Sequence, residues 1–136
     1  MATFESPITT IPASQEAVYN KFSNLSNLEA VKDRIPQDKI KDFQFDNDSC
    51  SFSVSPIGTL GLRIIDREPM KTIKFESEKS PIAFNLWIQL IGTAPNETKA
   101  KLTIKAELNP FIKGMVSKPL QDALNKMADM MTMLPY

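Results

Sequence analysis

The sequence predicts an α+β fold: one curved antiparallel sheet of about seven strands, two short helices after the first strand, and a long C-terminal helix packed over the sheet. Three observations predict it. Between Ile40 and Leu108 apolar residues recur with a period of two, and only short turns interrupt them, the pattern of an antiparallel meander with one buried face. From Pro110 to Leu134 the period becomes helical. Two helices in tandem separate the first strand from the meander. The apolar face of the sheet needs a cover, and the last helix is the only element long and apolar enough to supply one.

Thr3 to Ile11 reads as the first strand, rich in Thr and Ile and ended by Pro12. Ser14 is placed as an N-cap, with Glu16 in the first turn of a helix over Gln15 to Asn24. That helix sets Val18, Phe22 and Leu25 on one stripe. A second helix follows, opened by a Ser26–Glu29 capping box and stopped by Pro36 at about Ile35. The meander then runs Ile40 to Asp46, Cys50 to Ser55, Leu60 to Arg67, Thr72 to Glu78, Ala83 to Gly92 and Lys99 to Leu108. The last strand is the clearest: Ala100, Leu102, Ile104 and Ala106 alternate with Lys99, Lys101, Thr103 and Lys105. In the final helix Asn109 is the N-cap and Pro110 the first helical residue, where a missing N–H costs nothing. Ile112, Val116, Leu120, Leu124, Met127, Met131 and Leu134 form its apolar stripe over about 37 Å. Pro119 lies inside it and predicts a kink or break near Lys118.

Composition narrows function. The 136 residues are one domain's worth, 1–136, and 42% hydrophobic content is ordinary for a globular chain. Sixteen basic and sixteen acidic residues give a net charge of zero, which argues against a nucleic-acid partner. Histidine is absent, so histidine bases, nucleophile pairs and histidine metal sites are excluded. A single cysteine, Cys50, excludes an intrachain disulfide and fits a reducing compartment. With an N-terminus that lacks signal-peptide character and no run long enough for a membrane span, the expected location is the cytoplasm.

Three segments resemble a known superfamily, the START-like or SRPBCC domains, which include the plant pollen-allergen fold, polyketide cyclases and many small bacterial proteins. Ile11 to Tyr19 is similar to the family's approach to its first helix. Asp66 to Phe75 is similar to its strand–acid–proline–strand turn. Leu108-Asn109-Pro110-Phe111 is similar to the start of its final helix. The resemblance spans essentially the whole chain and is closest to small bacterial members of unknown role. It implies the helix-grip fold, with a cavity between sheet and long helix that relatives often use for apolar ligands. It carries no shared catalytic residue, so none is assigned, and it implies neither a cofactor nor a metal.

With such a cavity, the inward strand residues Phe45, Phe52, Phe75, Leu86, Ile88 and Ile104 become candidate lining, together with Met115, Val116, Leu120, Met127 and Met131 from the helix. Five of the seven methionines fall in that helix: Met115, Met127, Met130, Met131 and Met133. Methionine is flexible and polarizable, suited to adaptable apolar binding. The strand Phe84 to Leu90 has large apolar groups on both faces. If Phe84, Leu86, Ile88 and Leu90 point inward, Asn85, Trp87 and Gln89 form an outer surface that suits a partner. The opposite register would make those three a polar ligand reader. The loop Thr93–Asn96 does not fix the register, but the first arrangement buries more apolar area.

Other groups have plain readings. Asp46 with Asp48, and Asp66 with Glu68, are turn carboxylates exposed to solvent. Cys50 shares a face with Phe52 and Val54 and is an inert core thiol. Lys99, Lys101 and Lys105 form a solvated row. The primary expectation is therefore a module that binds a small hydrophobic, acyl or lipid-like molecule. The alternatives are a cyclase-type enzyme, for which Tyr19, Arg63 and Asn85 are the available polar groups, and a protein-interaction module, since some members of the resembling family bind chaperones. Nothing in the sequence forbids a homodimer.

Overall fold

The computed structural model describes residues 2–34, 40–55 and 57–136. Eight strands form one antiparallel sheet: β1 (Ala2–Glu5), β2 (Thr9–Ile11), β3 (Ile40–Phe45), β4 (Ser49–Val54), β5 (Gly58–Glu68), β6 (Thr72–Ser77), β7 (Ala83–Ala94) and β8 (Glu97–Glu107). The strand order is β1-β8-β7-β6-β5-β4-β3, with β2 also on β8. The meander is as the alternation predicts, and the chain's start closes its far edge.

The expected first strand is in fact two. Pro7 has no N–H to give to the ladder, and the pairing breaks at Ser6–Ile8. Ser6 bridges the gap: its N–H donates to the Leu102 carbonyl and its hydroxyl accepts from the Leu102 N–H, both at 2.9 Å. Ala2–Glu5 pairs with Thr103–Ala106, and Thr9–Ile11 with Thr98–Ala100.

Helix α1 (Gln15–Ser23) starts as its cap dictates, with the Ala17 N–H donating to Ser14 Oγ at 3.1 Å. It buries Val18, Tyr19 and Phe22. A 3₁₀-helix, Leu25–Arg34, follows. It starts at Leu25, one residue before the Ser26 cap that the Ser26–Glu29 box predicts. Asn24 Oδ1 accepts from both the Ser26 N–H and the Ser26 hydroxyl, at 3.2 and 2.7 Å, because Ser26 already lies inside the helix. The expected stop at Ile35–Pro36 lies outside the described residues.

Helix α2 (Pro110–Met131) is capped by Asn109, whose Oδ1 accepts from the Ile112 N–H at 2.8 Å. It runs without a break through Pro119, so of the kink or break expected near Lys118 the break does not occur. The carbonyl that Pro119 leaves unbonded is that of Met115, an exposed residue, so solvent can take its place. The helix also ends earlier than its apolar stripe does. Thr132 closes it, and the chain then turns so that Leu134 is buried and the Tyr136 hydroxyl donates to the Met131 carbonyl at 2.5 Å.

Sheet and helix meet in one core. Leu60, Leu62, Ile73, Phe75, Leu86, Ile88, Leu102 and Ile104 cover the inner face of the sheet, and Leu120, Ala123, Leu124, Ala128 and Met131 face them from α2. Irregularities at Lys41/Gln44, Ile64/Asp66 and Gly92/Ala94 bend the long strands, as bulges do.

Candidate functional site: an apolar cavity under the C-terminal half of α2

A cavity of about 60 Å³ lies between the sheet and the C-terminal half of α2. Its floor is Phe43, Phe45, Cys50, Phe52, Leu62, Phe75, Leu86, Ile88 and Leu102. Its roof is Met127, Met130 and Met131, and its side is Phe22, Leu25 and Leu28 from α1 and the 3₁₀-helix. Among the described residues, every lining side chain is apolar except the thiol of Cys50. Small-molecule sites usually span about 300–1,000 Å³, so this cavity holds a ligand of that class only if side chains move.

The roof carries the most adaptable side chains of the lining. Methionine has three rotatable bonds and fills irregular gaps without a fixed shape. The floor is stiffer. Phe43 stacks on Phe45 with ring centres 5.7 Å apart and touches Phe52 at 5.9 Å, geometries that favour ordered aromatic packing. Phe45 and Cys50 also border a separate outer groove of about 390 Å³, whose other walls include Gln44, Asp46, Ser49, Ser51, Thr59, Glu78 and Lys79. That groove mixes polar walls with the outer edges of Phe45 and Cys50.

Burial among these apolar groups pushes the Cys50 thiol up from 9.0 to about 12, since a thiolate there would lose its hydration. The plain reading of Cys50 as an inert thiol fits this position. The sign of the pH effect follows. The folded thiol holds its proton to a higher pH than the unfolded one, so its contribution to stability is complete below about pH 9 and is lost as pH rises toward 12. Between these limits this group makes stability fall as pH rises. Denaturant unfolding at several alkaline pH values checks it: Cys50→Ala should show a shallower decline than the parent. Equal slopes would mean that the thiol is not buried.

Solved structures share this architecture at low sequence identity. A START superfamily protein from Mycobacterium smegmatis matches 98% of this chain and 99% of its own, with a TM-score of 0.64 and 11% identity. Norcoclaurine synthase from Thalictrum flavum, in complex with dopamine and hydroxybenzaldehyde, matches over 97% of this chain and 84% of its own, with a TM-score of 0.71 and 14% identity. The fold is START-like. A protein from Thermus thermophilus matches it too, over 97% of this chain and 95% of its own, with a TM-score of 0.70 and 16% identity. No protein-family model matches the chain, and no curated protein matches it.

Within the START-like frame the candidate residues separate. Phe45, Phe52, Phe75, Leu86, Ile88, Met127 and Met131 line the cavity. Ile104, Val116 and Leu120 are buried but do not reach it, and Met115 is 62% exposed on the far side of α2. Asn85, Trp87 and Gln89 lie on the outer face, since Phe84, Leu86, Ile88 and Leu90 are all buried inward. Asn85 Nδ2 donates to the Phe75 carbonyl at 3.1 Å, and Gln89 Oε1 accepts from the Thr103 hydroxyl at 3.1 Å. Trp87 sits between two ammonium groups, Lys74 at 5.3 Å and Lys105 at 5.7 Å from its ring centre. They are close enough for cation–π attraction.

Sequence periodicity missed Phe22, Leu25, Leu28, Phe43, Cys50, Leu62, Leu102 and Met130 as lining residues. Phe22, Leu25 and Leu28 come from α1 and the 3₁₀-helix, whose approach to the cavity depends on the tertiary fold. The remaining polar candidates do not converge. Tyr19 is buried away from the cavity, and Arg63 is exposed on the outer face opposite Glu76. Asp48 takes an ion pair from Arg67, whose Nε also donates to the Ser23 carbonyl at 2.9 Å and ties the end of α1 to β5. No cluster of metal-ligating side chains occurs among the described residues. No helix among them is long and apolar enough to cross a membrane.

Proposed function

We propose that this protein binds a small hydrophobic molecule, of acyl or lipid-like chemistry, in the cavity between the sheet and α2. The observation that carries the reading is the lining itself: aromatic and aliphatic groups on the floor, three methionines on the roof, and no carboxylate, amine or amide among the described lining residues. Such a site recognises a ligand by shape and by removing apolar surface from water, at about 25 cal/mol per Å². The ligand enters as Met127, Met130 and Met131 swing aside.

The same lining argues against the cyclase-type reading, although norcoclaurine synthase shares the fold. Proton transfer needs a titratable group within hydrogen-bond reach of the substrate, and the thiol of Cys50 is held protonated. The interaction-module reading draws support from Trp87, which faces outward. Lys74 and Lys105 flank its ring, however, and reduce the apolar area it offers.

Met127→Trp tests the ligand reading. A bulkier side chain in a tight core typically costs about 1–3 kcal/mol, whereas one beside a yielding cavity costs less. The expected result is a melting temperature within a few degrees of the parent and loss of uptake of a neutral phenylnaphthylamine dye that the parent binds. A sharp drop in melting temperature would show Met127 to be packed core. Unchanged dye uptake would show that the roof does not control the site.

A further inference from the structure

We propose, on the ligand reading above, that residues 132–136 are a latch over the apolar cavity and that Tyr136 is its catch: ligand passes when this tail lifts and the last turn of α2 loosens. After Thr132 the chain leaves the helix and turns, with Leu134 buried and Met133 and Pro135 facing solvent. Tyr136 then makes two contacts. Its hydroxyl donates to the Met131 carbonyl at 2.5 Å, and its ring centre lies 6.1 Å from that of Phe22, with the planes tilted by 54°. Both partners line the cavity, Met131 in the roof and Phe22 in the side. One residue therefore ties roof to side at the edge of the site.

The roof depends on that tie. Met130 and Met131 stand in the last turn of α2, where carbonyls have no helical N–H to accept from. The tail supplies the donors: the Met133 N–H gives to the Met130 carbonyl at 3.0 Å, and the Tyr136 hydroxyl gives to the Met131 carbonyl. Burial pushes the Tyr136 phenol above its ordinary range, so it keeps its proton, and this bond, at pH values where a free phenol ionises. The tail itself has few anchors. Among the described residues it pairs with no strand, and the burial of Leu134 and part of Tyr136 has to offset the entropy of ordering it. Terminal segments of this kind open locally at a much lower cost than a paired sheet does. Once Tyr136 lifts, the Met131 carbonyl loses its donor, the last turn frays, and Met130 and Met131 swing off the floor without breaking a strand pairing.

Stopped-flow uptake of the phenylnaphthylamine dye tests this. Tyr136→Phe keeps the ring contact and removes the hydrogen bond, which is worth about fivefold in an equilibrium. Association and dissociation rates should both rise about three- to tenfold, with Kd within about twofold of the parent, because a latch alters access and leaves the closed complex as it was. Tyr136→Ala, which removes the ring as well, should raise both rates at least about tenfold. Hydrogen exchange in the dye-free protein reads the same opening. The Thr132 and Met133 amides, bonded to the Asp129 and Met130 carbonyls, should exchange faster in Tyr136→Phe than in the parent, while the amides of β7 and β8 keep their protection. A parent that binds dye and whose variants take it up and release it at unchanged rates would overturn the latch and leave the ligand reading standing. So would unchanged exchange at Thr132 and Met133, or a Tyr136→Phe whose Kd weakens through dissociation alone, since the residue would then only support the site. A parent that takes up no dye would overturn the ligand reading, and the latch with it.

Discussion

Gly61→Ala is expected to destabilise the protein by about 2–3 kcal/mol and to lower its melting temperature by about 10 °C. Gly61 sits in the middle of β5, paired with Ser51, and its carbonyl accepts from the Glu78 N–H at 2.8 Å. A Cβ at this position would lie 2.0 Å from the Glu78 carbonyl oxygen. The obstacle is backbone, held by that hydrogen bond, so it cannot rotate away as a side chain would. Alanine is otherwise the better strand residue, because glycine loses more conformational entropy on folding. Only the lack of space reverses the sign. Gly114→Ala is the control: it meets nothing within 4 Å in a helix interior and should stabilise by about 0.5–1 kcal/mol. If Gly61→Ala melted like the parent, the chain at Glu78 would have to be free to move off the sheet.

The strands were legible because a half-buried sheet writes its two faces into alternate residues. Lys99 to Leu108 needs no further information. Trp87 is harder, since Phe84 to Leu90 is apolar on both sides. The pairing of Leu86 with Ile104 and Trp87 with Thr103 settles it, and that pairing depends on a bulge at Gly92/Ala94 that no local signal marks. Pro7 and Pro119 show the limit of local rules in opposite directions. Pro7 breaks a strand that the β-propensity of its neighbours favours, while Pro119 leaves α2 whole because the carbonyl it orphans belongs to an exposed residue. The cavity was half legible. Met127 and Met131 follow from the helical stripe. Met130 does not, because it is buried by what wraps the end of α2, including Leu25, Leu28 and the turn to Tyr136. A single helix's periodicity cannot report a neighbour that arrives from a distant part of the chain. Met115, chosen for its residue type, points opposite the stripe and faces solvent.

Phe75→Ala is expected to cost about 3–5 kcal/mol, the range for a buried aromatic truncated in a core, and to create binding capacity at the same time. Phe75 is 2% exposed on the floor of the cavity, between Ile64 on β5 and Leu86 on β7. Both neighbours belong to paired strands, so the sheet cannot close over the missing ring without breaking its ladder. The vacated space therefore joins the existing 60 Å³ and stays apolar, and cavities lined by such groups stay dry and accept benzene. A ligand that binds only the folded state raises stability by RT ln(1 + [L]/Kd). Benzene should therefore raise the melting temperature of Phe75→Ala more than that of the parent, and the phenylnaphthylamine dye should bind the variant more tightly. Phe75→Leu, with less volume removed, should fall between the two on both measures. A variant that melts like the parent would mean that Phe75 is not tightly packed. A variant that melts lower yet gains nothing from benzene would mean that the methionine roof has collapsed into the gap, and the mobility assigned to Met127, Met130 and Met131 would then close the cavity instead of opening it.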